Sequence, residues 1–148
     1  MGFTTAELLV VLALMGTLAL AGLPRFGEAL THERMRTALT TVAGYAAVAR
    51  ETAVARGCAT TLHLSSGWDG RVVITSCRLI GPGVDTVGVV DSVASRLRVK
   101  VWSTSDMIRF GPSGLRLDYE VTTVAVGAED GEAALEFAIN PVGRVIWP

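Results

Sequence analysis

A carboxylate in an oily setting is the first place to look for chemistry in this chain. Glu7 stands four residues after Phe3, directly before the stretch Leu8 to Leu23 (LLVVLALMGTLALAGL), which carries no charge and ends at Pro24. An ionised side chain in hydrocarbon costs ~2.5–3.5 kcal/mol even on lenient insertion scales, so such residues usually have a partner of opposite charge. The competing reading is a first-turn carboxylate, favoured by the positive end of the helix dipole and lying at headgroup level. The two cysteines, Cys58 and Cys77, lie outside the apolar run and enclose one hairpin's worth of chain. They lack the close paired spacing of zinc ligands and have only His32 and His63 to add, so no metal site is expected. Gly81-Pro82-Gly83-Val84-Asp85 with Asp91 lacks the dense alternating oxygens of a calcium site. There is no Walker loop, H-E-x-x-H, G-x-S-x-G or C-x-x-C, and His63 with Asp69 and scattered serines forms no motif. The chain is therefore expected to be no enzyme and to need no cofactor.

The elements that position these residues follow from length and periodicity. The 148 residues suffice for one core of ordinary size. Half of them are hydrophobic, mean hydropathy is +0.46, net charge is -1 and the pI is about 6.1. Nothing global argues for nucleic acid or an anionic surface as partner. The apolar excess is concentrated at the N-terminus. A buried core helix there has little protein to cover it, and a signal peptide wants a basic start and a small-residue cleavage site, which Ala19-Leu20-Ala21 only imitates. Phe3 to Leu23 at ~1.5 Å per residue gives about 30 Å, the thickness of a hydrocarbon core, so residues 3–24 are read as a membrane helix.

The helical pattern continues past Pro24. Met35, Leu39, Val42, Ala46, Ala49 and Ala53 form one stripe, with His32, Glu33, Arg34, Arg36, Arg50 and Glu51 on the wetter side, until Gly57 stops the helix. One helix from about Thr4 to Arg56 is expected, interrupted or bent near Gly22-Leu23-Pro24, with residues 25–57 as its amphipathic half. After Gly57 the period becomes two. Cys58 to Leu64, Arg71 to Ser76, Leu97 to Trp102, Leu115 to Val121 and Ala133 to Ile139 read as strands with one face buried, while Gly81 to Ser95 reads as a loop or weak edge. Gly111-Pro112-Ser113-Gly114 and Asn140-Pro141-Val142-Gly143 are hairpin turns with Pro second and Gly fourth. The expected fold is α+β: a helix spine packed on an antiparallel sheet, residues 58–148 forming the β-rich domain.

Gly2-Phe3-Thr4-Thr5-Ala6-Glu7-Leu8-Leu9-Val10-Val11-Leu12 resembles the N-terminal signature of type IV prepilins and type II secretion pseudopilins. In that family a dedicated peptidase cleaves after the glycine, the new N-terminal residue is methylated, and the carboxylate five positions into the mature chain docks against a neighbour's terminal amine. The resemblance implies cleavage between Gly2 and Phe3, N-methylation of Phe3, and Glu7 as the assembly carboxylate. Gly16 and Pro24 match positions where pilin helices loosen or bend. A buried carboxylate and a buried amine each need an opposite charge, and axial stacking of subunits supplies both. Residues 1–2 then read as the remnant of a leader. The family's leader carries basic residues before the glycine, so orientation here rests on the resemblance rather than on leader charge.

Ala46 to Gly57 (AAVARETAVARG), Ile108-Arg109-Phe110-Gly111-Pro112-Ser113-Gly114 and Asn140-Pro141-Val142-Gly143-Arg144-Val145 resemble the GspH/FimT group of minor pseudopilins and minor pilins. This implies a filament subunit held in the bacterial inner membrane by a single pass, with the C-terminal domain extracytoplasmic. Its partners would be other pilin subunits, the prepilin peptidase and the membrane. In that oxidising compartment Cys58 and Cys77 read as a disulfide, two unpaired buried thiols being the alternative. Two other functions stay open. A major pilin would form the bulk of a filament. A DNA-uptake pilin would use a C-terminal Gly-Arg-x-Arg motif, of which Gly143-Arg144-Val145-Ile146 keeps only Arg144; one arginine makes few phosphate contacts, and Trp147 is read as packing rather than stacking on a base.

Overall fold

The computed structural model describes residues 4–129, 131 and 133–148, apart from the side chains of 18–26, 133 and 134. It divides into two units, Met1–Glu33 and Arg34–Pro148. Helix α1 is Thr5–Arg56. The helical backbone continues through Gly16 and Pro24, so neither interrupts it.

In the first unit the large apolar side chains described at the start of α1 are bare. Leu8, Leu9, Val10, Leu12, Leu14 and Met15 are each more than half exposed, and Val11 nearly so. Among the described residues no helix is long and apolar enough to cross a membrane. Phe3 and the side chains of 18–24, which complete the expected span, lie outside them.

The second unit begins with the amphipathic half of α1. The stripe read from the sequence is the buried one: Met35, Leu39, Val42, Ala46, Ala49 and Ala53, joined by Ala38. The helix ends in a Schellman motif. Gly57 sits at φ +64°, its N–H donates to the Val54 carbonyl (3.3 Å), and the Cys58 N–H donates to the Ala53 carbonyl (3.3 Å).

Eight strands follow: β1 (Thr60–Leu64), β2 (Arg71–Cys77), β3 (Val84–Ser92), β4 (Lys100–Ser103), β5 (Met107–Phe110), β6 (Thr122–Gly127), β7 (Ala133–Ile139) and β8 (Val145–Ile146), with a short helix α2 (Val93–Leu97) after β3. They form two four-stranded antiparallel sheets, ordered β3-β2-β1-β5 and β4-β6-β7-β8, where the periodicity had suggested one. Leu62, Leu64, Val72, Ile74, Ile108 and Phe110 from the first sheet share one core with Val101, Val124, Val126, Phe137 and Ile139 from the second, together with the helix stripe. Burying each such side chain is worth roughly 1.5–3 kcal/mol, which is what holds the layers together.

The stretch read as a loop or weak edge holds an edge strand, β3, followed by α2. One expectation is corrected. The segment 115–121, read as a strand with its leucines inward, is no strand: its β-pairing is the single isolated bridge Phe110↔Arg116, and its faces are reversed. Leu115, Leu117, Tyr119 and Val121 are exposed, while Arg116 is fully buried. The cause is the turn before it. Opposite residues of an antiparallel pair share a face, so the inward Phe110 sets Arg116 inward.

Candidate functional site

At the start of α1 the chain builds a capping box. Glu7 Oε2 accepts hydrogen bonds from the Thr4 N–H (2.9 Å) and the Thr4 hydroxyl (3.0 Å), and the Glu7 N–H donates to Thr4 Oγ1 (3.3 Å). The reciprocal bonds satisfy two of the amide donors that a helix start leaves open. They also turn the carboxylate toward the N-terminal end of the helix. Gly2 and Phe3, where cleavage and methylation are expected, lie outside the described residues.

At the far end of α1 the disulfide joins Cys58 to Cys77, closing a loop with a sequence separation of 19. It ties the exit of the helix to the end of β2. The Arg56 guanidinium reinforces the junction by donating to the Cys77 carbonyl (2.9 Å). Beneath it, Thr60 and Ser76 exchange a buried hydroxyl hydrogen bond of 2.8 Å.

The two proline turns, far apart in sequence, meet on α1. In each the glycine N–H bonds back three residues, Gly114 to the Gly111 carbonyl and Gly143 to the Asn140 carbonyl, both 2.9 Å. Both glycines sit at φ +74°, the left-handed residue that follows a type I turn in a three-residue hairpin loop. Gly143 has a second reason to lack a side chain: a Cβ there would lie 2.9 Å from the Gly114 carbonyl oxygen and 3.2 Å from the Phe110 ring. Arg50 on α1 clamps the pair by donating Nε–H to the Gly114 carbonyl (2.9 Å).

Arg116 fastens the same region from within. Its Nε and terminal nitrogen donate to both oxygens of Asp118 (3.1 and 2.7 Å), its other terminal nitrogen donates to the Ile139 carbonyl (3.1 Å), and its backbone N–H donates to the Pro141 carbonyl (3.1 Å). The polar alternation of the sequence hid this residue, because a bidentate arginine can go inside only with its partners supplied. The rigid platform so made carries a cleft of about 460 Å³ lined by Ala47, Arg50, Glu51, Gly143, Arg144 and Val145.

Arg144 is exposed, and among the described residues its side chain makes no hydrogen bond or ion pair. Trp147 packs on Phe137, ring centroids 5.4 Å apart. Asp85 is taken by Arg78 and Asp91 by Arg96, and among the described residues no group of three His, Cys, Asp or Glu is placed to hold a metal ion.

A second tie fixes α1 to the edge of the first sheet. The Tyr45 hydroxyl donates to Asp91 (3.0 Å), whose carboxylate also accepts two hydrogen bonds from Arg96 (2.7 and 3.2 Å). The Arg96 guanidinium, and then the Tyr45 hydroxyl, hold the Asp91 carboxyl below its ordinary value. Burial, and then the Asp91 carboxylate, push Tyr45 up. A carboxyl with a lowered folded pKa gives up its proton more readily folded than unfolded. Its stabilisation is therefore complete above the unfolded value of ~3.9 and lost as pH falls through the lower folded value. Asp91→Asn is expected to flatten the loss of thermal stability below about pH 4, measured by melting across pH; an unaltered acid limb would remove this role.

No curated protein sequence matches the chain significantly. The fold is that of the type IV minor pilin FimU of Pseudomonas aeruginosa, with TM-score 0.63 and 14% identity over 79% of this chain and 90% of that one. It is equally that of the minor pseudopilin EpsH from the type 2 secretion system of Vibrio cholerae, with TM-score 0.60 and 7% identity over 77% of this chain and 94% of that one. The family model for type II transport protein GspH matches residues 38–143, from the buried stripe of α1 through both proline turns. The chain belongs to the GspH family of type II transport proteins.

Proposed function

We propose that the chain is a minor pseudopilin or minor pilin subunit, built into a type II secretion pseudopilus or a type IV pilus through its N-terminal helix. The observation that carries this reading is the bare apolar start of α1 with one carboxylate at its head. So much exposed apolar surface on one element calls for lipid or other protein around it. Residues 3–24 cross the bacterial inner membrane in a single pass and bend at Gly16 and Pro24. Residues 25–57 lead into the extracytoplasmic domain, residues 58–148. Prepilin peptidase removes the segment ending at Gly2, and the freed Phe3 amine is methylated. On assembly, Glu7 exchanges its bonds to Thr4 for the terminal amine of a neighbouring subunit, so each charge leaves water with a partner. The platform held by Arg50, Arg116 and the disulfide is structural, a rigid body that the stem carries outward; no step of this reading is catalytic.

Extraction from membranes and mass determination test the processing. The expected mature chain begins at N-methylated Phe3. An N-terminus left intact in cells that contain the peptidase would contradict the proposal.

A further inference from the structure

Lys100 is the only lysine in the chain, and two of the three tryptophans enclose it. Lys100 and Trp102 flank the buried Val101 on β4, so both stand on the outward face of the second sheet. Trp68 arrives from a distant part of the sequence. The Gly67 N–H donates to the Val101 carbonyl (2.7 Å) and the Val101 N–H returns the bond to Gly67 (3.1 Å), which lays residue 68 beside the strand. The Lys100 ammonium then lies 5.1 Å from the Trp102 ring centroid and 5.9 Å from that of Trp68. Both distances lie within the range of cation–π attraction. Trp68 is half exposed. Among the described residues the ammonium has no acceptor and no ion-pair partner, whereas Arg78, Arg96 and Arg116 each have a carboxylate. Next to Trp102 the sheet presents Ala125 and then the exposed Glu136, with Thr123 and Ala138 to one side; Glu136 stands two strand spacings, roughly 10 Å, from Trp102, across a floor of small side chains.

We infer that Trp68, Lys100 and Trp102 form a binding platform for an oligosaccharide that bears a carboxylate, such as a uronic acid unit. The indole faces, negative in their quadrupole, take the C–H faces of sugar rings. The fixed ammonium donates charge-assisted hydrogen bonds to the carboxylate. The surroundings disfavour an acidic peptide, because Gly67 already occupies the outer edge of β4 where a peptide strand would pair. They disfavour a nucleic acid as well, since a single ammonium neutralises a single phosphate. The role is independent of how the stem assembles.

Titrating the full-length chain in a sugar-free zwitterionic detergent, with tryptophan emission as the readout, tests the platform. Tetragalacturonate is expected to give a saturable change. Affinity should fall by about tenfold or more in Trp68→Ala, and Lys100→Met should abolish the preference for tetragalacturonate over neutral cellotetraose. Trp147→Phe should leave the signal in place, and the melting temperatures of the variants show that each is folded. No saturable change, equal affinity in Trp68→Ala, retained preference in Lys100→Met, or equally tight binding of polyglutamate or oligothymidylate would each overturn the assignment.

Discussion

Arg116→Ala is expected to destabilise the second unit by about 3–5 kcal/mol, the range for breaking a buried ion pair by removing one partner. The side chain is wholly inaccessible, with a bidentate grip on Asp118 and a third bond to the Ile139 carbonyl. Its removal strands an acceptor at the end of β7 and opens a void behind both proline turns. Asp118 keeps 26% of its side chain exposed and can draw on water, which places the effect toward the lower end. Total stabilities of single domains run to about 5–15 kcal/mol, so such a loss is large enough to reduce the amount of folded protein in cells. Urea unfolding of the full-length chain measures it. Arg116→Lys should recover little, because a point charge cannot make the two-pronged contact. An unfolding free energy for Arg116→Ala within about 1 kcal/mol of the parent would show that the pair does not hold the turns.

Replacing both Cys58 and Cys77 by serine, or adding reductant, is expected to cost about 3 kcal/mol from the freed chain entropy of a loop of this size. For a unit of this length the melting temperature should fall by on the order of 10 °C. The site shapes the local consequence. The disulfide fastens the point where α1 hands over to β1, and the bond from Arg56 to the Cys77 carbonyl remains after reduction. Loss of global stability without loss of the helix end is therefore expected, read by melting alongside far-ultraviolet circular dichroism. An unchanged melting temperature in reductant would contradict it.

Much of this architecture was legible because apolar periodicity is local. The stripe from Met35 to Ala53 is spaced for one helical face, and Gly57 ends it where only a residue at ease with positive φ could. The proline turns were legible for the same reason, each encoded in four consecutive residues. What the sequence hid is set by contacts across it. Alternation in β1, β2, β4 and β7 marks a buried face but not the neighbour strand, so two sheets looked like one. Leu115 to Val121 alternates convincingly, yet the left-handed residue at Gly114 fixes which face turns in, and it turns in the arginine. The meeting of Gly114 with Gly143 over Arg50 and of Trp68 with Lys100 joins residues that no spacing rule connects. Of the proposed assembly group, Glu7 was visible as a charge out of place, and its grip on Thr4 is encoded in the Thr-x-x-Glu spacing.

We propose that the charge of Glu7, not its helix-capping bonds, draws the subunit into a filament. Glu7→Gln separates the two, since glutamine still closes the capping box but carries no charge. Quantifying each form in purified filaments, relative to its amount in the membrane, is the direct measurement. Glu7→Gln is expected to accumulate in the membrane with its outer unit folded and to be depleted from filaments; incorporation equal to that of the parent chain would rule out a role for the charge.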